Sequence, residues 1–439
     1  MYYRTEDLQD VESAAAQRKR YAAAAALIAI TAWTGAGTVY AEVDAGLKPA
    51  VTRSGWQLDL TGYVQADSIP WSQDSVNELD PSTGEPLNEE RLLIRRGRLR
   101  ADAHRDAMFG ALELDGNTVS GASARLIAAY VGYALPSEDQ PIAVISAGLF
   151  KTPFGVEVPA NERDKPFVEP PAFARALFPG SYDAGVMVRG GYGLLRWSLA
   201  AVNGAPSGDA QWHGNDPSSS YEFVGRVGAD VTGPYEFRVE AGVSALKGRG
   251  LHPGTPPTKE SLQWIDESQD GRVQIDELQV IPGSPGIPSE SFGRQAIGAD
   301  VQAHWRLCAI GVGTAFAEAV LATNLDRGLI YADPIAQSRD LRQLGMALGV
   351  VQDLGPYAQV GARYDRYDAD RDAREQQGVT LVGIDKVFST LSVLAVGRWR
   401  GARFAVQYDH ERNPFGRGDD GSPITREADR VTLRAQVGF

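Results

Sequence analysis

Along most of its length this chain alternates apolar and polar residues with a period of two, and its last segment does so most clearly. Val431, Leu433, Ala435, Val437 and Phe439 fall on one face, while Arg430, Thr432, Arg434 and Gln436 fall on the other. Successive side chains of an extended strand point to opposite sides of the sheet, so this pattern specifies a strand with one oily and one wet face. Sixteen such runs are read along the sequence, near 54–68, 91–104, 107–117, 123–134, 141–149, 182–191, 194–203, 221–231, 236–246, 293–304, 305–316, 341–352, 356–368, 387–398, 401–411 and 427–439. Their lengths suit the roughly 9–11 residues that a tilted strand needs to cross a bilayer.

The connections narrow the fold further. Seven are tight: 105–106, 136–140, 192–193, 232–235, the join near Trp305, 353–355 and Gly401 after Arg400. They alternate with eight that are mostly long, at 69–90, 118–122, 150–181, 204–220, 247–292, 317–340, 369–386 and 412–426. Short turns at one end and long loops at the other are the arrangement of outer-membrane barrels. In lipid every backbone N–H and C=O must be paired internally, and an open sheet edge would leave a row unpaired. The expected fold is therefore all-β: one antiparallel transmembrane β-barrel of sixteen strands over residues 42–439, with both ends on the periplasmic side and long extracellular loops.

The N-terminus agrees with export. Arg18, Lys19 and Arg20 precede an apolar run over 22–33, and small residues follow up to Val39-Tyr40-Ala41. Basic, apolar and small in that order read as a signal peptide over 1–41, and the apolar run is shorter than the roughly 20 residues of a membrane helix. A single cysteine, Cys308, forms no internal disulfide. The formal charge of −13 argues against nucleic acid as a partner.

Where the charges sit matters more than their sum. Taking Leu93, Gly97, Leu99 and Ala101 as lipid-facing turns Arg96, Arg98, Arg100 and Asp102 inward, and leaves Arg95 on the outer face at headgroup level or at a bulge. The same phase turns Arg189, Arg226, Arg238, Arg363, Arg403, Arg430 and Arg434 inward, against fewer inward acids: Asp59, Glu222, Asp230, Glu240, Asp365 and Asp409. Rows of guanidinium groups attract anions into pores and can fork onto phosphate or carboxylate oxygens. The alternative is that these arginines pair with the inward acids. Loop 69–90 reverses the sign with Asp74, Glu78, Asp80, Glu85, Glu89 and Glu90. Loop 150–181 mixes Lys151, Arg163, Lys165 and Arg175 with Glu157, Glu162, Asp164 and Glu169, and its prolines at 153, 159, 166, 170, 171 and 179 stiffen it. Folded into the barrel, it makes a constriction; folded outward, it is a cap.

Several words of the sequence carry a family likeness. They are Gly62-Tyr63-Val64-Gln65, Ile94-Arg95-Arg96-Gly97-Arg98-Leu99, Ala129-Tyr130-Val131-Gly132-Tyr133, and the stretch Ala147-Gly148-Leu149-Phe150-Lys151-Thr152-Pro153-Phe154-Gly155-Val156-Glu157. Asp183-Ala184-Gly185-Val186 and Ala362-Arg363-Tyr364-Asp365 follow. By these the chain resembles the phosphate-selective porins O and P of Gram-negative outer membranes, most strongly over 91–190. The resemblance implies a homotrimer of sixteen-stranded barrels in outer-membrane lipid, with an arginine ladder leading to a narrow anion site. Arg95, Arg96 and Arg98 match the family's Arg-Arg-x-Arg stretch, and Lys151 begins its third loop.

One segment departs from that pattern. Residues 266–277 have the twelve-residue spacing of an EF-hand loop, with Asp266, Ser268 and Asp270 at positions one, three and five, Gly271 at six, the Arg272 carbonyl at seven and Glu277 at twelve. A structural Ca2+ ordering the 247–292 connection is the expectation, with 259–265 as an entering helix and Pro282 limiting any exit helix to about one turn. The alternative is an acidic solvated loop. Signatures of hydrolases, zinc proteases and nucleotide-binding loops are absent from the sequence. Three functions remain open. The first is passive uptake of small anions, phosphate or polyphosphate among them. The second is a general or cation-preferring porin. The third is an outer-membrane enzyme or adhesin presenting its loops.

Overall fold

The computed structural model describes residues 51–53, 55–73, 90–119, 121–135, 142–233, 236–307, 310–377, 379–417 and 423–439. The expected signal segment, the acids 74–89, the turn 136–140 and Cys308 lie outside the described residues. Sixteen strands form the wall. They are β1 (Trp56–Gln73), β2 (Glu90–Arg105), β3 (Met108–Asn117), β4 (Ser123–Leu135), β5 (Ala143–Lys151), β6 (Tyr182–Tyr192), β7 (Leu195–Val202) and β8 (Glu222–Thr232). Then come β9 (Arg238–His252), β10 (Glu290–Leu307), β11 (Gly311–Thr323), β12 (Arg342–Leu354), β13 (Ala358–Asp368), β14 (Val387–Trp399), β15 (Ala402–Arg417) and β16 (Pro423–Gly438). Each pairs antiparallel with the next, and β16 pairs with β1, so the sheet closes on itself. A short strand, Val51–Arg53, adds onto the start of β1.

The period-two pattern has the cause the sequence suggested. On β10 the even positions from Phe292 to His304 are buried inside, while Ile297 and Val301 face outward, 56% and 42% exposed. Val131, Leu199, Val227, Val243, Leu348 and Phe404 continue this apolar outer belt around the barrel. A continuous apolar belt on the outside of a closed barrel is the surface that lipid surrounds. No helix among the described residues is long and apolar enough to cross a membrane; the strands cross it.

Three readings of the sequence need correction. First, the register of β1 and β2 slips between Gln65 and Ala66, where Arg95 is the extra residue of a β-bulge. The bulge reverses the phase, so Leu93 is buried inside rather than lipid-facing, and Arg95 and Arg96 both reach the lumen. Second, the strand read at 305–316 is β11 at Gly311–Thr323, and β10 runs on through Trp305. The Trp305 indole covers Gly313 and donates to Gln352, 3.0 Å away. Third, β9 and β10 continue as a ribbon beyond the other strands, which shortens the 247–292 connection to 253–289.

The largest apolar cluster lies inside the barrel. It joins Phe154, Phe173, Leu177 and Phe178 of the connection after β5 to inward residues of strands β6 to β14.

Candidate functional site

The connection between β5 and β6, residues 152–181, folds into the barrel rather than over it. Its prolines leave backbone N–H groups with no strand to pair with, and the wall supplies their acceptors. Gly155 donates to Ser244 on β9 at 3.0 Å, and Glu157 to Glu318 on β11 at 3.0 Å. Val168 donates to Gln407 on β15 at 2.9 Å, and Ala172, at the start of helix α1 (Ala172–Leu177), to Asp365 on β13 at 3.0 Å. From the other side Arg434 of β16 donates to the Val168 carbonyl, Arg363 of β13 to that of Glu169, and Arg403 of β15 to those of Lys165 and Pro166. The loop thus touches strands on all sides of the lumen.

The arginine stripe of β2 runs down beside this loop. Arg95 pairs with Glu169 at 2.6 Å and Arg96 with Glu162 at 3.1 Å. Arg98 lies 3.4 Å from Glu113 and 3.5 Å from Asp115, and Arg100 is 2.8 Å from Asp102 and 3.1 Å from Glu113. Side-chain exposure along the stripe falls from 24% at Arg95 through 12% at Arg96 to 7% at Arg98, then rises to 29% at Arg100. Solvent touches both ends of the stripe, and its most deeply buried member, Arg98, lies at the level of the inward loop, the neck of the lumen.

Around that neck Glu162 is shared by three cations: Arg96, Lys165 at 2.9 Å and Lys151 at 3.6 Å. Lys165 also pairs with Glu157 at 2.9 Å. Arg98 lies over the Tyr63 ring and Lys151 over Tyr182, with 5.8 and 5.5 Å to the centroids; aromatic faces attract cations at such distances. Burial by itself pushes the Glu162 carboxyl up, but Lys165, Lys151, Arg96 and Arg98 together outweigh it and hold Glu162 well below the usual carboxylate range. Burial likewise opposes ionisation of Glu169, and Arg95, Arg96, Arg434 and Arg430 overcome it, bringing this carboxyl down to about 2. Glu162 and Glu169 are therefore charged at neutral pH.

The sequence reading turned Arg96, Arg98 and Arg100 inward, set Lys151 at the start of the third loop and matched Arg95 to the family stretch only; the fold brings all five together. The other inward arginines are also luminal but spread out. Arg226 pairs with Asp300 at 2.9 Å, Arg363 with Asp365 at 3.4 Å, and Arg189 is buried on β6. Glu113, Asp115, Asp67 and Glu318 were missed. For Glu113 and Asp115 the signal was available: Leu112 and Leu114 face outward, so the same alternation turns Glu113 and Asp115 inward. Asp67 receives Arg434 at 2.7 Å, and Glu318 is buried without a cation partner among the described residues.

The calcium-like segment lies apart, in the 253–289 connection. Its flanks are strands, Ser261–Trp264 and Leu278–Ile281, paired as a hairpin, so the expected entering helix does not form. Only one 3-10 turn, Ile275–Glu277, precedes the second strand. Asp266 accepts the backbone N–H groups of Asp270 (3.1 Å) and Gly271 (2.9 Å), and Asp270 accepts that of Arg272 (2.8 Å). Glu277 accepts from Ser268 N–H at 3.0 Å and the Trp264 indole at 2.9 Å. Among the described residues no group of three or more His, Cys, Asp or Glu side chains is placed to hold a metal ion.

No protein-family model matches the chain, and no curated protein matches it in sequence. Solved structures do match its fold. The outer membrane channel DcaP of Acinetobacter baumannii superimposes with a TM-score of 0.55 at 13% identity, over 90% of this chain and 99% of that one. OprB of Pseudomonas putida gives 0.54 at 10% identity, over 88% and 94%. An anion-selective porin from Comamonas acidovorans gives 0.50 at 11% identity, over 88% and 100%. Taken with the closed sixteen-stranded wall and its apolar outer belt, these likenesses show that the chain has the fold of outer-membrane porin barrels.

Proposed function

We propose that the barrel is a passive diffusion porin for small hydrophilic solutes and that its neck selects only weakly by charge. The observation that carries this reading is the exposure profile of the β2 stripe beside the inward loop, partly exposed at Arg95 and Arg100 and buried at Arg98. Arg96, Arg98, Lys151 and Lys165 stand against Glu113, Asp115, Glu157 and Glu162. Paired charges cancel at distances beyond the pair, so a passing ion feels local dipoles more than a net field.

A second reading is preference for small anions, phosphate among them. It is favoured by the sharing of carboxylates: Glu162 serves three cations and Glu113 two. An oxyanion offers those cations further acceptors. One structure of the same fold is described as an anion-selective porin.

Planar bilayers under a KCl gradient test both readings. The expected result is steady conductance with a reversal potential near zero. A strongly anion-selective reversal that Arg96→Gln with Arg98→Gln diminishes would transfer the conclusion to the second reading. A strongly cation-selective reversal removes the second reading, and absence of any conductance overturns the porin reading itself.

A further inference from the structure

Porin barrels are lined with polar side chains because water fills them. Here one side of the lumen breaks that rule. Inward residues of strands β6 to β14, among them Met187, Val224, Leu246, Val320, Tyr367 and Phe388, are nearly inaccessible and apolar. They pack against Phe154, Phe173 and Leu177 of the 152–181 loop, with Phe154 against Phe178 in a tilted arrangement, 4.8 Å between ring centroids. Phe173 fits against Gly345 of β12, where a Cβ would collide with it. Close packing of this kind excludes even single waters, and a hydrated ion entering it would leave its shell behind at a cost of many kcal/mol.

The extracellular side of this core is sealed as well. The connection 324–341 descends onto α1, where Arg327 and Gly328 donate to the Ala176 carbonyl at 2.9 and 3.0 Å. Buried ion pairs lie across the same region: Arg294 with Glu222 and Arg327 with Asp209, each at 2.7 Å. Both arginines also donate to the Gly204 carbonyl, and the Tyr367 hydroxyl donates to Asp326 at 2.7 Å. By contrast, the wall of β2, β15 and β16 keeps wet charges above the neck: Arg95 at 24%, Arg430 at 19% and Glu411 at 25% exposed.

We propose that solutes pass the extracellular half of the barrel only along the sector formed by β15, β16, β1 and β2, and that the opposite sector is a dry core that conducts nothing. The inference rests on the diffusion reading, and its test separates the two. In a Cys308→Ser background, single cysteines are introduced at Glu411 and Arg95 in the wet sector, and at Ala322 and Ala347 in the core. Folding of each is checked by its heat-dependent mobility on gels. A negatively charged methanethiosulfonate is then applied during single-channel recording, and labelling is counted by mass.

Glu411→Cys and Arg95→Cys are expected to label and to lower the current stepwise. Ala322→Cys and Ala347→Cys are expected to remain unlabelled with unchanged current. Two core positions on different strands are used so that a misfolded variant at one leaves the other informative. Labelling with current block at either folded core variant overturns the dry sector. Failure of labelled wet-sector variants to change the current overturns the route. An unmodified parent that never conducts instead overturns the diffusion reading.

Discussion

Gly155 shows how much of the neck depends on single atoms. Its φ is +61°, and a Cβ there would collide with Oε1 of Glu318. Glu318 in turn accepts the N–H groups of Val156 and Glu157, at 3.3 and 3.0 Å. Gly155→Ala therefore costs about 1 kcal/mol for the left-handed backbone, and a further 1–3 kcal/mol, roughly, for each N–H left without its acceptor when Glu318 moves. The wall is untouched, so the barrel is expected to fold while the loop loosens. Single-channel recordings are expected to show noisier current with a shifted mean, and an unchanged trace would count against the latch. The Lys-Thr-Pro-Phe-Gly stretch was legible in the sequence as a marker of this loop; Glu318 was not, because its role depends on a contact 162 residues away. Arg95 was left between headgroup level and a bulge for a related reason. A bulge needs two strands, and the alternation of one strand carries no trace of its partner's register.

At the scale of elements, alternation identified all sixteen strands, because a wall with lipid on one side and a wet or packed interior on the other enforces the period. Boundaries failed where that contrast ends. β9 and β10 climb past the bilayer as a ribbon, and β11 starts later than read because no Asn-Gly or Asp-Gly turn marks the end of β10. The inward course of 152–181 could not be read from its own residues, since its acceptors belong to β9, β11, β13 and β15. The 266–277 loop is the opposite case: its spacing was plain and its partners are its own. The carboxylates of Asp266, Asp270 and Glu277 now cap backbone N–H groups, and calcium would have to replace those bonds with six to eight oxygen contacts. Were calcium to win that competition, Glu277 would be the ligand hardest to replace, since it alone would bind through both oxygens. Isothermal titration of the whole barrel with Ca2+ is expected to show binding that Glu277→Gln abolishes. A titration without heat in the parent identifies the segment as a self-capped turn.

At the scale of the whole molecule, stability turns on the seam between β16 and β1. Phe439 makes two backbone bonds to Gly62, each 2.9 Å, and its ring lies over that glycine, where a Cβ would collide with it. The ring and the backbone contribute by different physics. Phe439 is 55% exposed on the outer face, and lipid chains are as apolar as the groove, so Phe439→Ala loses some packing contacts but little transfer energy. Its cost is expected to stay near 1 kcal/mol, by analogy with aromatic contacts between strands. Removing Gly438 and Phe439 together is a different change. It strips the last rungs of the ladder and leaves N–H and C=O groups of β1 facing hydrocarbon, at several kcal/mol each. Urea unfolding in lipid vesicles is therefore expected to show a small shift for Phe439→Ala and a large loss for the two-residue truncation. Equal losses would mean that the ring, rather than closure of the sheet, holds the seam.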